Sequence, residues 1–315
     1  MTARRTSYVS AFAALTVTSV AMTLGNKWLM TQPALKQHTQ VVVVAQNLIA
    51  VLATSLSALI GLVTIAPVTR RQLQFYSWDA LVLAVQLWTS FKALQYLSVS
   101  STTVCRSLAI PIVAWLELLV LGTRLDVRRH VCGWLVVLGA FIYAHEDVVR
   151  VAAPLEGYLW ALANLAAFCS NSVLDKIFMS SLDQSPAGMA MITQLISLPI
   201  SFASSLLFER RADELSMRQM LAGLEAHTTV ALFATGALAA ALGRAYAQCY
   251  KVASATAVTV AGNVNKMLAI LLSILLFDAR TTLTQGVGMA LCLGAAFSFS
   301  LAGLQRDEEA KPKGE

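Results

Sequence analysis

The chain has 315 residues, of which 57% are hydrophobic and only 13% charged, with a formal net charge of +6 at pH 7. Soluble proteins carry roughly 25% charged residues. A chain this poor in charge, with a mean hydropathy of +0.67, cannot cover a water-facing surface, and the soluble globular class is excluded. The positive balance forms no basic patch interleaved with aromatics, which argues against a nucleic-acid partner.

Arg4 and Arg5 precede an apolar stretch too long for a cleaved signal segment, so a retained first helix is expected at 8–30. Nine more spans follow at 41–66, 78–97, 101–122, 128–145, 155–178, 187–208, 228–249, 252–277 and 282–304. Residues 184–208, 226–243, 252–265 and 281–305 contain no Asp, Glu, Lys or Arg, and uncharged blocks of such length read as membrane-spanning helices. The longest connection, Glu209 to His227, is expected to hold a short surface helix. The stretch from Arg306 to Glu315 reads as a polar, mobile tail.

The basic residues of the loops set the orientation. Eleven lie on the side that holds both termini, among them Arg4, Arg5, Arg70, Arg71, Arg128 and Arg129, against six on the other. Both termini are therefore expected in the cytosol. The cluster Arg210, Arg211 and Arg218 runs against the trend but is diluted by Glu209, Asp213 and Glu214.

Gly133 to Ala140 reads GWLVVLGA, and Gly288 to Ala295 reads GMALCLGA, 155 residues later. The offset is about half the chain and leaves five spans in each half. An odd number inverts the second half, giving a first repeat at 1–150, a second at 151–305 and a tail at 306–315. The expected fold is an all-α polytopic membrane protein of ten helices in two inverted five-helix repeats, an arrangement that places a binding site between halves that rock.

Beyond the first two residues of each expected span, six cations fall inside: Lys27, Lys92, Arg106, Lys176, Arg244 and Lys266. With the same residues set aside, only two acids, Glu117 and Asp175, fall there with them. Each intramembrane charge costs roughly 2.5–3.5 kcal/mol on insertion scales, so such residues face a cavity or pair with one another. Lys27, Lys176 and Arg244 lie near helix ends, where snorkelling to the interface is an equal or simpler reading. Lys266 and Arg106 lie deeper. Lys92 could pair with Glu117, which otherwise holds another cation or carries a coupling proton. A surplus of buried cations implies an anionic cargo, since Lys supplies a compact charge and Arg a fork for two phosphate oxygens.

Two polar packets accompany these charges. Gly262, Asn263 and Asn265 immediately precede Lys266. The glycine permits close approach, and the amides can bond sugar hydroxyls or phosphate or bind helix to helix. Thr193, Gln194 and Ser197 precede Leu198-Pro199, where the proline can bend the helix and free carbonyls. The five cysteines sit in apolar blocks without Cys-x-x-Cys spacing, as small core residues do. No metal or cofactor site is expected, and no nucleophile–base pair points to an enzyme.

At these packets the sequence resembles the nucleotide-sugar transporters of the drug/metabolite transporter superfamily, especially the GDP-mannose branch. Gly25-Asn26-Lys27-Trp28 is similar to that branch's end of the first helix, and Lys92-Ala93-Leu94-Gln95-Tyr96-Leu97 to its third. Arg106 to Glu117 keeps its spacing from a basic residue to a glutamate. Gly157-Tyr158-Leu159-Trp160 with Asn164, and Cys249-Tyr250-Lys251, are further points of likeness. Gly262-Asn263-Val264-Asn265-Lys266, followed by Leu276-Phe277-Asp278, resembles its GALNK motif and trailing Phe-Asp.

The resemblance implies a Golgi-type membrane and exchange of a cytosolic nucleotide sugar for a luminal nucleoside monophosphate. A GDP-sugar such as GDP-mannose would be the cargo. Lys266, Arg106 and Lys92 would serve the diphosphate, with Glu117 as a supporting charge. Gly262, Asn263 and Asn265 would hold the sugar, and Thr193 and Gln194 would sit near the base. The expected partners are nucleotide sugar, nucleoside monophosphate and the lipid bilayer, with a homodimer left open. One departure stands out: the family's guanine-reading FYNN motif falls on Met191-Ile192-Thr193-Gln194, and its tyrosine ahead of the fourth-helix basic residue falls on Thr102. Two other readings keep the fold: a translocator exchanging sugar phosphate or phosphoenolpyruvate for phosphate, and a non-transporting membrane scaffold.

Overall fold

Long runs of apolar residues, with few prolines to interrupt them, make the helix the default for a backbone that must satisfy its own hydrogen bonds. The computed structural model describes residues 2–29, 31–35, 38–97, 99–150, 154–181, 184–208, 223–277 and 282–309, and all regular structure among them is helical. In chain order the helices are α1 (Thr2–Leu29), α2 (Thr39–Leu59), α3 (Arg70–Tyr96), α4 (Val99–Ser107), α5 (Ala109–Leu121), α6 (Val127–Arg150), α7 (Leu155–Ser181), α8 (Pro186–Phe208), α9 (Ala226–Val252), α10 (Ala255–Phe277) and α11 (Leu283–Glu309). The cluster Arg210, Arg211 and Arg218, the surface helix expected around it, Asp278, and residues 310–315 of the expected tail lie outside the described residues. The last helix runs to Glu309, past the expected end of its span at 304.

Eight stretches among the described residues are long and apolar enough to cross a membrane, on α1, α2, α4–α5 together, α6, α8, α9, α10 and α11. The chain is thus a polytopic α-helical membrane protein. The helices α3 and α7 have 27 residues each, or about 40 Å at 1.5 Å per residue. Their charges, among them Asp79 and Lys92 on α3 and Asp175 and Lys176 on α7, keep them less apolar than the other eight.

Two boundaries differ from expectation for reasons visible in the residues. The fourth span was expected as one helix over 101–122, but it breaks at Leu108 into α4 and α5. Pro111 has no N–H to answer the carbonyl of Ser107, and its ring crowds that carbonyl. The break leaves Arg106 in the last turn of α4, where the helix dipole favours a cation. Beyond α5, Gly122 closes the helix in the left-handed region at φ 66°, its N–H on the Leu118 carbonyl at 3.1 Å. The third span was expected from residue 78, whereas α3 starts at Arg70. A reciprocal cap fixes that start: Gln72 N–H donates to Thr69 Oγ1 at 3.3 Å, and Thr69 N–H donates to Gln72 Oε1 at 2.9 Å. Asp79 therefore lies a third of the way along a helix, 1% exposed, and joins the intramembrane acids.

The chain divides into two compact units, Met1–Val85 with Leu174–Val252, and Gln86–Val173 with Ala253–Glu315. Each unit draws on both halves of the sequence. In the first, α9 packs against α1, α2 and α8, and α2 against α8. One end of this unit is sealed. Leu29, Leu35 and Val42 form a cluster there with Trp28 and Leu224, and the buried Gln46 amide donates to Asn26 Oδ1 at 2.8 Å and Thr235 Oγ1 at 2.9 Å.

In the second unit α6 packs along α11, and α10 packs against α5 and α11. The two similar octapeptides of the sequence meet at the α6–α11 seam. A Cβ on Gly139 would lie 2.7 Å from Cys292 N and 2.8 Å from the Gly288 carbonyl oxygen. A Cβ on Gly288 would collide with Tyr143 N and the Gly139 carbonyl. Later residues of α11 contact earlier residues of α6, so the helices run antiparallel, with backbones as close as small residues allow.

Candidate functional site

The second unit gathers the GALNK-like residues on α10. A two-residue connection, Ala253-Ser254, separates α9 from α10. The exposed amides of the new helix are met in two ways. Ser254 Oγ accepts from Ala257 N–H at 3.2 Å. Glu117, 1% exposed on α5, accepts from Ala255 N–H at 2.8 Å, Thr256 N–H at 3.0 Å and Thr256 Oγ1 at 2.6 Å. This corrects the expectation that Glu117 supports an intramembrane cation: its carboxylate is committed to the positive end of a helix. The pairing with Lys92 is not formed, and Lys92 sits half-buried on α3.

Lys266 is the middle residue of the 23 in α10. Among the described residues no hydrogen bond or carboxylate meets its ammonium group. A charge that acts on it is another cation, Arg106, whose guanidinium lies 5.2 Å from the centre of the Phe168 ring. Asn265 is 1% exposed, and neither Oδ1 nor Nδ2 has a hydrogen-bond partner among the described residues. Buried amides are normally satisfied, so Asn265 is an open polar site. Asn263 instead donates Nδ2 to the Thr259 carbonyl of its own helix at 3.1 Å. Gly262 is half-buried one residue before it.

Thr193 and Gln194 belong to the first unit. Thr193 Oγ1 donates to Asp79 Oδ2 at 3.2 Å. Gln194 Nε2 makes a long bond of 3.4 Å to the Ala239 carbonyl, while its buried Oε1 has no hydrogen-bond partner among the described residues. Lys176 Nζ donates to the Tyr250 carbonyl at 2.7 Å. A helix C-terminus, not the membrane surface, holds that charge.

The first unit also contains a cavity of about 720 Å³, within the range of small-molecule sites. It lies between the first half of α1, the second half of α2, the start of α8 and the second half of α9, at the opposite end from the Gln46 cross-link. Eight alanines line it, together with Ser10, Thr18, Thr54, Ser57, Gln248 and Arg244. The snorkelling reading of Arg244 gives way here to a cavity-lining one. Sequence reasoning missed this site because its signal is alanine on successive turns of facing helices, which is indistinguishable from tight packing. Among the described residues no three His, Cys, Asp or Glu side chains converge as a metal site would require.

The sequence is similar to known transporters over most of its length. The chain is 22% identical over 300 residues to a GDP-mannose transporter of Scheffersomyces stipitis, covering 93% of this chain and 91% of the relative. It is 23% identical over 312 residues to the GDP-mannose transporter of Yarrowia lipolytica, covering 94% of each, and 24% identical over 302 residues to GDP-mannose transporter 2 of Emericella nidulans, covering 90% and 84%. The chain resembles the GDP-mannose branch of the nucleotide-sugar transporters. A solved crystal structure superposes with a TM-score of 0.70 over 91% of this chain and 98% of its own, at 14% identity, which speaks for the fold. No family model matches the sequence. Within this chain, the GALNK-like segment carries its lysine at mid-helix with an open amide beside it, and Thr193 and Gln194 carry a bond to Asp79 and a weakly held amide.

Proposed function

We propose that the chain is a nucleotide-sugar antiporter, exchanging a cytosolic nucleotide sugar, a GDP-sugar such as GDP-mannose, for a luminal nucleoside monophosphate across the Golgi membrane. The observation that carries this reading is Lys266, an intramembrane cation whose charged neighbour is a second cation, Arg106, beside the unsatisfied amide of Asn265. A lysine in mid-membrane that no carboxylate meets among the described residues is stabilised by an anion that enters. A diphosphate offers several oxygens to Lys266 and Arg106, and Asn265 can bond a sugar hydroxyl. Ten spans, counting α3 and α7, in two inverted repeats would supply alternating access. The chain then moves its cargo unchanged and is not an enzyme.

Strict exchange follows from the same charges. An empty site keeps the Lys266 charge uncompensated, so it reorients slowly, and a bound anion of either kind relieves it. Proteoliposomes loaded with nucleoside monophosphate test this. External GDP-mannose should enter only when the lumen holds counter-substrate. Equally fast uptake or efflux with no substrate on the far side would refute exchange.

One observation favours a second cargo. With Thr193 bonded to Asp79 and the FYNN asparagines gone, the base-reading positions are partly occupied, which suits a sugar phosphate exchanged for inorganic phosphate. Competition between GDP-mannose and a hexose phosphate in the same vesicles separates the two.

A further inference from the structure

Arg244 is an exposed arginine, eight residues from the C-terminal end of α9 and so roughly 12 Å into the helix. It lines the 720 Å³ cavity of the first unit, and no Asp or Glu lines that cavity with it. Among the described residues no carboxylate pairs with Arg244. Gln248, one turn later on the same face, adds an amide at the same wall.

The hydroxyls opposite are turned the other way. Ser10 Oγ donates to the Ser7 carbonyl at 3.0 Å, Thr18 Oγ1 to Ala14 at 2.7 Å, Thr54 Oγ1 to Ala50 at 2.9 Å and Ser57 Oγ to Ala53 at 2.8 Å. A hydroxyl has one proton and two lone pairs, so each of these, its proton committed to its own helix, presents an acceptor. The cavity thus has a cationic donor wall on α9 and an acceptor wall on α1 and α2, with alanines leaving the space between them empty.

We propose that this cavity is a phosphate site. Arg244 grips the phosphate oxygens of an organophosphate whose hydroxyl or N–H groups donate to the hydroxyls of α1 and α2. A guanidinium fork matches two phosphate oxygens, and a nucleoside phosphate carries both the anion and the donors. The choice of a nucleotide as ligand rests on the transport reading above; the anion site itself rests on the cavity. A lipid headgroup shares the phosphate chemistry, and the lipid composition of the disc separates it from the soluble ligand.

The test uses the full-length protein in nanodiscs of phosphatidylcholine, titrated with guanosine diphosphate and with guanosine. In a Lys266→Gln background, where the α10 site is weakened, Arg244→Gln should weaken the diphosphate by at least about ten-fold and leave guanosine unchanged, with Arg244→Lys between, as loss of a charge-assisted bond predicts. On the wild type, arginine-directed phenylglyoxal labelling read by peptide mass spectrometry should be slowed at Arg244 by the diphosphate and not by guanosine. That arm needs no variant to fold. Diphosphate binding that is unchanged in Arg244→Gln, or labelling at Arg244 that is not protected, overturns the site while leaving the transport reading intact. Failure of the wild type to bind any nucleotide overturns the transport reading as well. Stabilisation through Arg244 by phosphatidylglycerol in the disc, with none by the nucleotide, would make the occupant a lipid and overturn the soluble assignment.

Discussion

Thr256 Oγ1 donates to Glu117 Oε2 at 2.6 Å, and through this bond α5 holds the first turn of α10. The helix so anchored carries Asn263, Asn265 and Lys266. Removing the anchor should cost stability before it costs specificity. Glu117→Ala leaves two backbone N–H groups and a hydroxyl buried without an acceptor, a loss of about 1–3 kcal/mol for each unsatisfied group. Glu117→Gln keeps one acceptor oxygen and should fall between. Thermal melting of the purified protein in detergent checks the order wild type, Gln, Ala.

The α6–α11 seam makes a sharper steric prediction. Gly139 and Gly288 each face backbone atoms of the other helix, which cannot move aside as a side-chain tip can. Gly288→Ala should destabilise by about 1–3 kcal/mol or more through overpacking. Gly294→Ala, six residues along the same helix with nothing within 4 Å of its Cβ position, should be neutral or slightly stabilising through helix propensity. Size-exclusion profiles after mild heating distinguish the two.

Much of the helical framework could be read from uncharged blocks and loop charges because lipid permits so few alternatives. The break at Leu108 was also encoded, in Pro111, but the apolar run across it hid the signal. The start of α3 was encoded in Thr69 and Gln72, and overlooking that cap left Asp79 at the edge of its span instead of a third of the way along a helix. Glu117 could be recognised as a buried acid but not as a helix cap, since its partners Ala255 and Thr256 lie about 140 residues away and offer mainly backbone. Arg244 could be recognised as a charge but not as a cavity wall, because alanine at helical spacing signals close packing and empty space alike. Lys266 stood out for the simplest reason: eleven residues of helix separate it from either end of α10.

Gln194 tests how the base is read. Its Oε1 is buried without a hydrogen-bond partner among the described residues, and its amide is held by one long bond. If this side chain reads the base, Gln194→Ala should flatten the preference among guanosine, uridine and cytidine diphosphates by about ten-fold or more, as loss of a hydrogen-bonding group in a discriminating site does. Affinity for a hexose phosphate should hold. Competition against a labelled nucleotide sugar measures both.

Neutralising the lysine should separate stability from binding. Lys266→Gln removes the repulsion with Arg106, so the ligand-free protein should melt at the same temperature as wild type or higher. Its affinity for nucleotide sugar should drop by about ten-fold or more, as expected when a charge-assisted contact is lost. Isothermal titration beside a melting curve gives both numbers.

The most direct test of an anionic passenger is a thermal-shift panel on the wild type and Lys266→Gln, with nucleoside mono- and diphosphates, nucleotide sugars and sugar phosphates. A ligand at a hundred times its Kd stabilises the folded state by about 2.7 kcal/mol. A GDP-sugar should therefore raise the wild-type melting temperature clearly and the variant's by less, the remaining shift coming from the Arg244 cavity. An unchanged melting temperature across every phosphate in the panel, or equal shifts in wild type and Lys266→Gln, would contradict the account.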